Sequence, residues 1–180
     1  MCRPVLMWSA VTGFGLAGLF DGIVLHRILG WHHLLSHSAA AAPETTQRRW
    51  DGDFDATMWV LVVPGLIGVF RHPTRLSVIP PTGMTGAVLA GFGGWHMADA
   101  VLAHWLLGLH RIRPGATDPL FWDLVWTGAF GVLPIATALV LSRRPVTPPL
   151  AASDGTSPAT RRFHGNRRLR KGPPHAHPRS

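Results

Sequence analysis

Cysteine is almost missing from this chain. Cys2 stands alone among 180 residues, so no internal disulfide and no thiolate metal site can form. No apolar lipobox precedes it. The C-x-x-C-H signature of covalent haem attachment is absent, which leaves only non-covalent haem. H-E-x-x-H, a P-loop and G-x-S-x-G are missing too, so soluble hydrolase chemistry has no support. Charge is scarce: Asp, Glu, Lys and Arg make up 14% of the chain. The long apolar segments lack the polar face that would cover a helical core in water.

The net charge of +8 belongs to the tail. From Arg143 onward there are nine Lys and Arg against one acidic residue, whereas residues 1–142 hold eight of each. The body is therefore neutral, apolar and rich in Gly and Trp. The segment 143–180 has too few apolar residues to fold and reads as a disordered basic tail. Such a tail fixes topology and offers a contact to anionic lipid. No specific nucleic-acid binding is expected of it, and His164, His175 and His177 are too sparse for a metal tract.

Four segments have the length and apolarity of membrane spans, at about 5–29, 54–70, 83–107 and 120–141. The first is read as uncleaved. It is longer than a signal-peptide core and contains Asp21, His26 and Arg27. Pro64 and Pro134 lie inside spans, where neighbouring groups satisfy the freed carbonyls. Arg3, Arg71, Arg75, Arg143 and Arg144 cluster at one set of span ends, which places both termini in the cytoplasm. Trp31, Trp50 and Trp122 then fall near the outer interface.

The informative stretch is residues 13–34, GFGLAGLFDGIVLHRILGWHHL. Shifted by 78 positions it recurs at 91–112 as GFGGWHMADAVLAHWLLGLHRI, with eight of 22 positions identical. Among these are Asp21/Asp99, His26/His104, Gly30/Gly108 and His32/His110. One span separates the copies, so both enter the membrane from the same side. The expected fold is all-α: an integral membrane four-helix bundle of two parallel two-helix half-repeats. Asp21 and His26 are five apart, about 140° around an α-helix, so they are not expected to share a narrow face. His96 and Asp99 are three apart and expected to meet. Gly30 and Gly108 should end their helices, freeing the following His to fold over the bundle mouth. Gly18 and Gly22, and Ala90, Gly94 and Ala98, form small-xxx-small patterns suited to close helix contact. Asp55 and Asp123 open the second and fourth spans behind Phe54 and Trp122, a faint likeness between the second halves.

Ionisable side chains in hydrocarbon are costly and mark function or a specific partner. Imidazole with carboxylate suits copper or another transition metal. His26, His32, His33, His104 and His110 are the candidate ligands. Asp21, Asp55, His96, Asp99 and Asp123 are candidate supporting groups or further ligands. Three readings stay open beside a metal: axial haem ligation by His26 and His104, ion or proton transfer, and a polar cluster that only registers the helices of a structural or assembly partner. The inner half has too few polar residues for a full pore. All of these describe a non-enzymatic module.

The residues Gly13–Gly15, Asp21–His26 and Trp31–His33 resemble a family of small four-span bacterial membrane proteins classed as a domain of unknown function. Its first span looks like G-F-G-x-G-G-F-F-D-G-I-V-x-H-Q-x-L-Q-W-H-H. The likeness covers about residues 10–142 and includes Asp51-Gly52-x-Phe54, Gly108-Leu109-His110 and Trp122-Asp123. It implies location in the bacterial cytoplasmic membrane. By analogy it implies an association with respiratory oxidases or their assembly factors, and so with copper. This chain has Arg27 where that pattern has Gln, Asp55 for His, His96 for Asn and Asp99 for Glu. It also has Ala103 for Asp, Trp105 for His and Arg111 for His. A site needing every one of those groups would be weakened here, but His26, His32, His33, His104 and His110 are retained.

Overall fold

A computed structural model describes residues 3–37 and 42–143. The expectations for the basic tail from Arg144 onward, with its three histidines, and for Cys2 lie outside those residues. Every regular element among the described residues is helical: α1 (Arg3–Ile28), α2 (Glu44–Phe70), a single turn α3 (Pro73–Leu76), α4 (residues 81–106) and α5 (Pro119–Ser142). Pro73, Pro81 and Pro119 each stand in a first turn, where the missing N–H has no partner to lose. Asp118 caps α5 by accepting from the Phe121 N–H at 3.1 Å.

Three helices, α1, α2 and α5, are long and apolar enough to cross a membrane. The helix at 81–106 is as long as α1, but its Gly, Trp and His content leaves it short of them in hydropathy. Exposure separates the elements. The most apolar stretch of α1 is 56% buried within the molecule, and that of α5 only 17%. Leu120, Phe121, Leu124, Leu133 and Leu139 lie bare along α5, a face suited to lipid rather than water.

α2 begins at Glu44, well before the expected residue 54. The extra turns are polar and water-facing, with Glu44 and Arg48 paired one turn apart on the surface. They carry Asp51 on the helix.

α1 lies between α4 and α2, and α4 also packs on α5. The α1–α4 crossing is set by two glycines other than those of the small-xxx-small patterns. A Cβ on Gly13 would overlap the Val88 carbonyl, and one on Gly91 would overlap the Ala10 carbonyl. The backbones therefore touch. Gly94, expected at a contact, faces open space.

The last turns of α1 and α4 widen from α to π geometry, at Gly22–Ile28 and Ala100–Leu106. The Leu29 N–H reaches back five residues to the Val24 carbonyl at 2.9 Å, and Leu107 does the same to Leu102 at 2.8 Å. Gly30 and Gly108 then end the helices with φ of 58° and 60°, left-handed values that a side chain would strain. A third π segment, Thr127–Val132, precedes Pro134 in α5. The proline lacks an N–H and crowds the carbonyl four residues back, so the ladder shifts register there.

Candidate metal centre

The widened turns change which residues are neighbours. In an α-helix, positions five apart point to different sides. In a π turn, i and i+5 are joined by the hydrogen-bond ladder and stack. Asp99 and His104 thus meet, with Asp99 Oδ2 at 3.0 Å from His104 Nε2, contrary to the α-helical expectation. His96 does not pair with Asp99, although three apart. Its Nδ1 accepts from Trp126 Nε1–H at 3.3 Å, within a box of Phe20, Phe92, Trp126 and Phe130.

Beyond Gly30 and Gly108 the chain folds back, and His32 and His110 come to lie over the ends of both helices. The His32 Nδ1–H donates to the Ile112 carbonyl and the His110 Nδ1–H to the Leu34 carbonyl, each at 2.9 Å. A carbonyl only accepts, so both rings carry their proton on Nδ1 and present a lone pair at Nε2. Burial, with His110 and His26 close by, holds His32 well below the usual imidazole value. It is neutral at neutral pH.

His26 and His104 are the inner pair. His26 Nδ1 lies 3.2 Å from Asp51 Oδ1, and His104 Nδ1 lies 3.3 Å from Asp123 Oδ1. Each carboxylate is itself fixed. Asp51 accepts from the Leu34 N–H at 2.9 Å and faces His33 Nδ1 at 2.7 Å. Asp123 accepts from the Ile112 N–H at 3.0 Å and from Arg111 at 2.6 Å. These are the same contacts 78 positions apart on the histidine side, with His33 and Arg111 in equivalent places.

The four rings form a row. His26 to His32 is 4.8 Å between centroids, His32 to His110 is 4.6 Å, and His110 to His104 is 4.8 Å. All four residues are 1–5% exposed; the Nε2 atoms of His26, His32 and His110 are buried without a hydrogen-bond partner, and that of His104 faces only Asp99 Oδ2. A buried polar group left unpaired costs roughly 1–3 kcal/mol, so three in one place call for a ligand. Asp99, His104 and His110 each present one donor atom, all within 4.8 Å of one another. Two donors on one ion lie about 3.4 Å apart at a tetrahedral angle and bond lengths of about 2.1 Å, so a small side-chain rotation would close the set.

The other sequence candidates sit around this row. His33 is partly exposed, with Nδ1 committed to Asp51. Asp55 pairs with Arg27, whose Nε–H donates at 2.9 Å, and its second oxygen is buried and unpaired against Gly22. Asp21 is buried with Oδ1 unpaired. It shares a cavity of about 300 Å³ with Asp99, His110, Phe54 and Trp95. Trp31 and Trp122 clasp the Arg113 guanidinium at 5.2 and 5.1 Å from their ring centres, as interface tryptophans would.

Asp51 was missed as a site residue. The counterpart of Asp123 is Asp51 and not Asp55. The sequence held a signal for this, since Trp50-Asp51 and Trp122-Asp123 are the same dipeptide. Their spacing is 72 rather than 78, because the segment from His32 to Asp51 is six residues longer than that from His110 to Asp123, and a fixed shift passes over it.

Residues 9–145 match the family described as Predicted membrane protein (DUF2243). The chain belongs to this family. Its function is unknown, and the match spans all the histidines and carboxylates of the row. No curated protein and no solved structure matches the chain.

Proposed function

We propose that this protein is a membrane metal-binding module whose core ligands are Asp99, His104 and His110. The observation that carries this reading is the set of buried, unpartnered Nε2 atoms of His26, His32 and His110, each on a ring whose Nδ1 faces a carboxylate or a carbonyl. That is how proteins orient imidazole for a metal. The donors are nitrogen and oxygen with no thiolate, which suits a divalent transition ion. Copper(II) heads the affinity order for such donors, in keeping with the copper that the family resemblance suggests. The row argues against haem. His32 and His110 stand between His26 and His104 in ring contact, leaving no slot for a flat macrocycle between the two expected axial ligands.

The site is set in four spans of two parallel half-repeats. The equal shift of 78 between α1 and α4, their π turns, their glycine terminators and the reciprocal His32–Ile112 and His110–Leu34 bonds all support this. In the bacterial cytoplasmic membrane with both termini inside, the row lies at the outer mouth. An oxidase or its assembly machinery is the partner class that fits a copper carrier.

A rival has one specific observation behind it. His104 has a carboxylate at each nitrogen, the setting of an imidazolium that ties α4 to α5 with no ion at all. Elemental analysis and an absorption spectrum of detergent-purified protein separate the two. The metal reading expects at least one equivalent of a transition metal, no Soret band, and at least one equivalent fewer in His104→Ala/His110→Ala with membrane insertion intact. Metal at background in the wild type, with lowered thermal stability in the variant, supports the structural rival.

A further inference from the structure

Whether the row serves one ion or two is decided by ring orientation. An imidazole lone pair lies in the plane of its ring. Two imidazoles share an ion only where their planes cross near both Nε2 atoms. The planes of His104 and His110 meet at 70°, and those of His26 and His32 at 73°. The central pair is different. His32 and His110 are stacked at 9° with centroids 4.6 Å apart, so their planes run side by side and their lone pairs have no common target. The row divides between them.

We infer that His26 and His32 anchor a second divalent ion, making the centre dinuclear with one ion in each half of the molecule. This rests on the metal reading above. Each half carries the same features: an inner histidine braced by a carboxylate at Nδ1, and an outer histidine donating Nδ1–H to the opposite half's carbonyl. The Nε2 atoms of His26, His32 and His110 are buried and unpartnered, and that of His104 faces Asp99. Asp21, 2% exposed with an unpaired oxygen, supplies the negative charge that a second cation requires. Its place in one cavity with Asp99 and His110 makes it the candidate bridge. A polar cavity of about 320 Å³, lined by His26, Arg27, His33, Glu44, Arg48 and Asp51, opens beside His26, with Arg27 and Arg48 paired to Asp55 and Glu44.

The test is copper stoichiometry and spectroscopy on chelator-stripped, detergent-purified full-length protein reloaded with Cu²⁺. Two ions per chain are expected, falling to one in His26→Ala/His32→Ala and to one in His104→Ala/His110→Ala. In the wild type the second equivalent should broaden the electron paramagnetic resonance signal of the first through spin–spin coupling, a readout that needs no variant to fold. A wild type that takes up only one ion, and keeps it in His26→Ala/His32→Ala, overturns the dinuclear inference and leaves the metal reading standing. A second equivalent that binds without altering the first signal also overturns it. No retained ion in the wild type overturns the metal reading itself.

Discussion

Asp51 and Asp123 show how much of the centre rests on residues that touch no ligand position. Each braces an inner histidine at Nδ1 and is itself held by a backbone N–H of the fold-back segment. Removing such a brace typically costs 10–100-fold in metal affinity. Asp51→Asn and Asp123→Asn should each weaken copper binding by about that factor in competition titration, with insertion unchanged. His32 supplies a pH dependence. Its folded value lies well below 6.5, so below that pH the unfolded chain takes up a proton that the folded chain refuses. Stability is full above the unfolded value and is lost as pH falls through it. The drop in melting temperature between pH 7.5 and 5.5 should therefore shrink in His32→Asn, measured on metal-free protein. Of the site, the histidines were readable from sequence because ionisable groups stand out in apolar helices. Asp51 was not, because in sequence it is one of several charges in a polar loop.

At the scale of elements, the π turns decide the site. An α-helical reading separates Asp99 from His104 by about 140°; the wider turn puts their donor atoms 3.0 Å apart. Sequence periodicity does not reveal this, since a single widened turn leaves the apolar pattern of the span intact. Deleting one residue from the widened turn, at Val101, should restore α-helical register and lower copper binding by one equivalent while leaving α4 helical by circular dichroism. The α1–α4 contact was not singled out in sequence, where any pair of small residues four apart looks equivalent, and Gly18 and Gly22 pack against Met58 and Asp55 of α2 instead. Backbone contact at Gly13 and Gly91 singles out the true crossing. Gly91→Val forces a branched side chain onto the Ala10 carbonyl and should cost at least about 1–3 kcal/mol, seen as a lower melting temperature. Gly94→Val, in open space, should leave it unchanged.

For the whole molecule, membrane helices were legible from length and apolarity, and their exposed leucines and valines agree with a lipid-facing exterior. What sequence could not supply was the meeting of the two copies, because the contacts that join them are backbone carbonyls accepting from histidines 76 and 80 positions away. The proposed four-span topology places Ser36 outside and Ser77 inside. Single cysteines at these positions in a Cys2→Ser background should react with an impermeant thiol reagent in intact cells at residue 36 and not at 77. The central claim, that the histidine row holds a transition metal, is tested most directly by X-ray absorption at the metal edge of the copper-loaded protein. The account predicts nitrogen and oxygen neighbours at about 2.0 Å with the multiple-scattering pattern of imidazole, reduced in His104→Ala/His110→Ala and lost when His26 and His32 are replaced as well. A sulfur shell, a shell without imidazole, or no bound metal would contradict it.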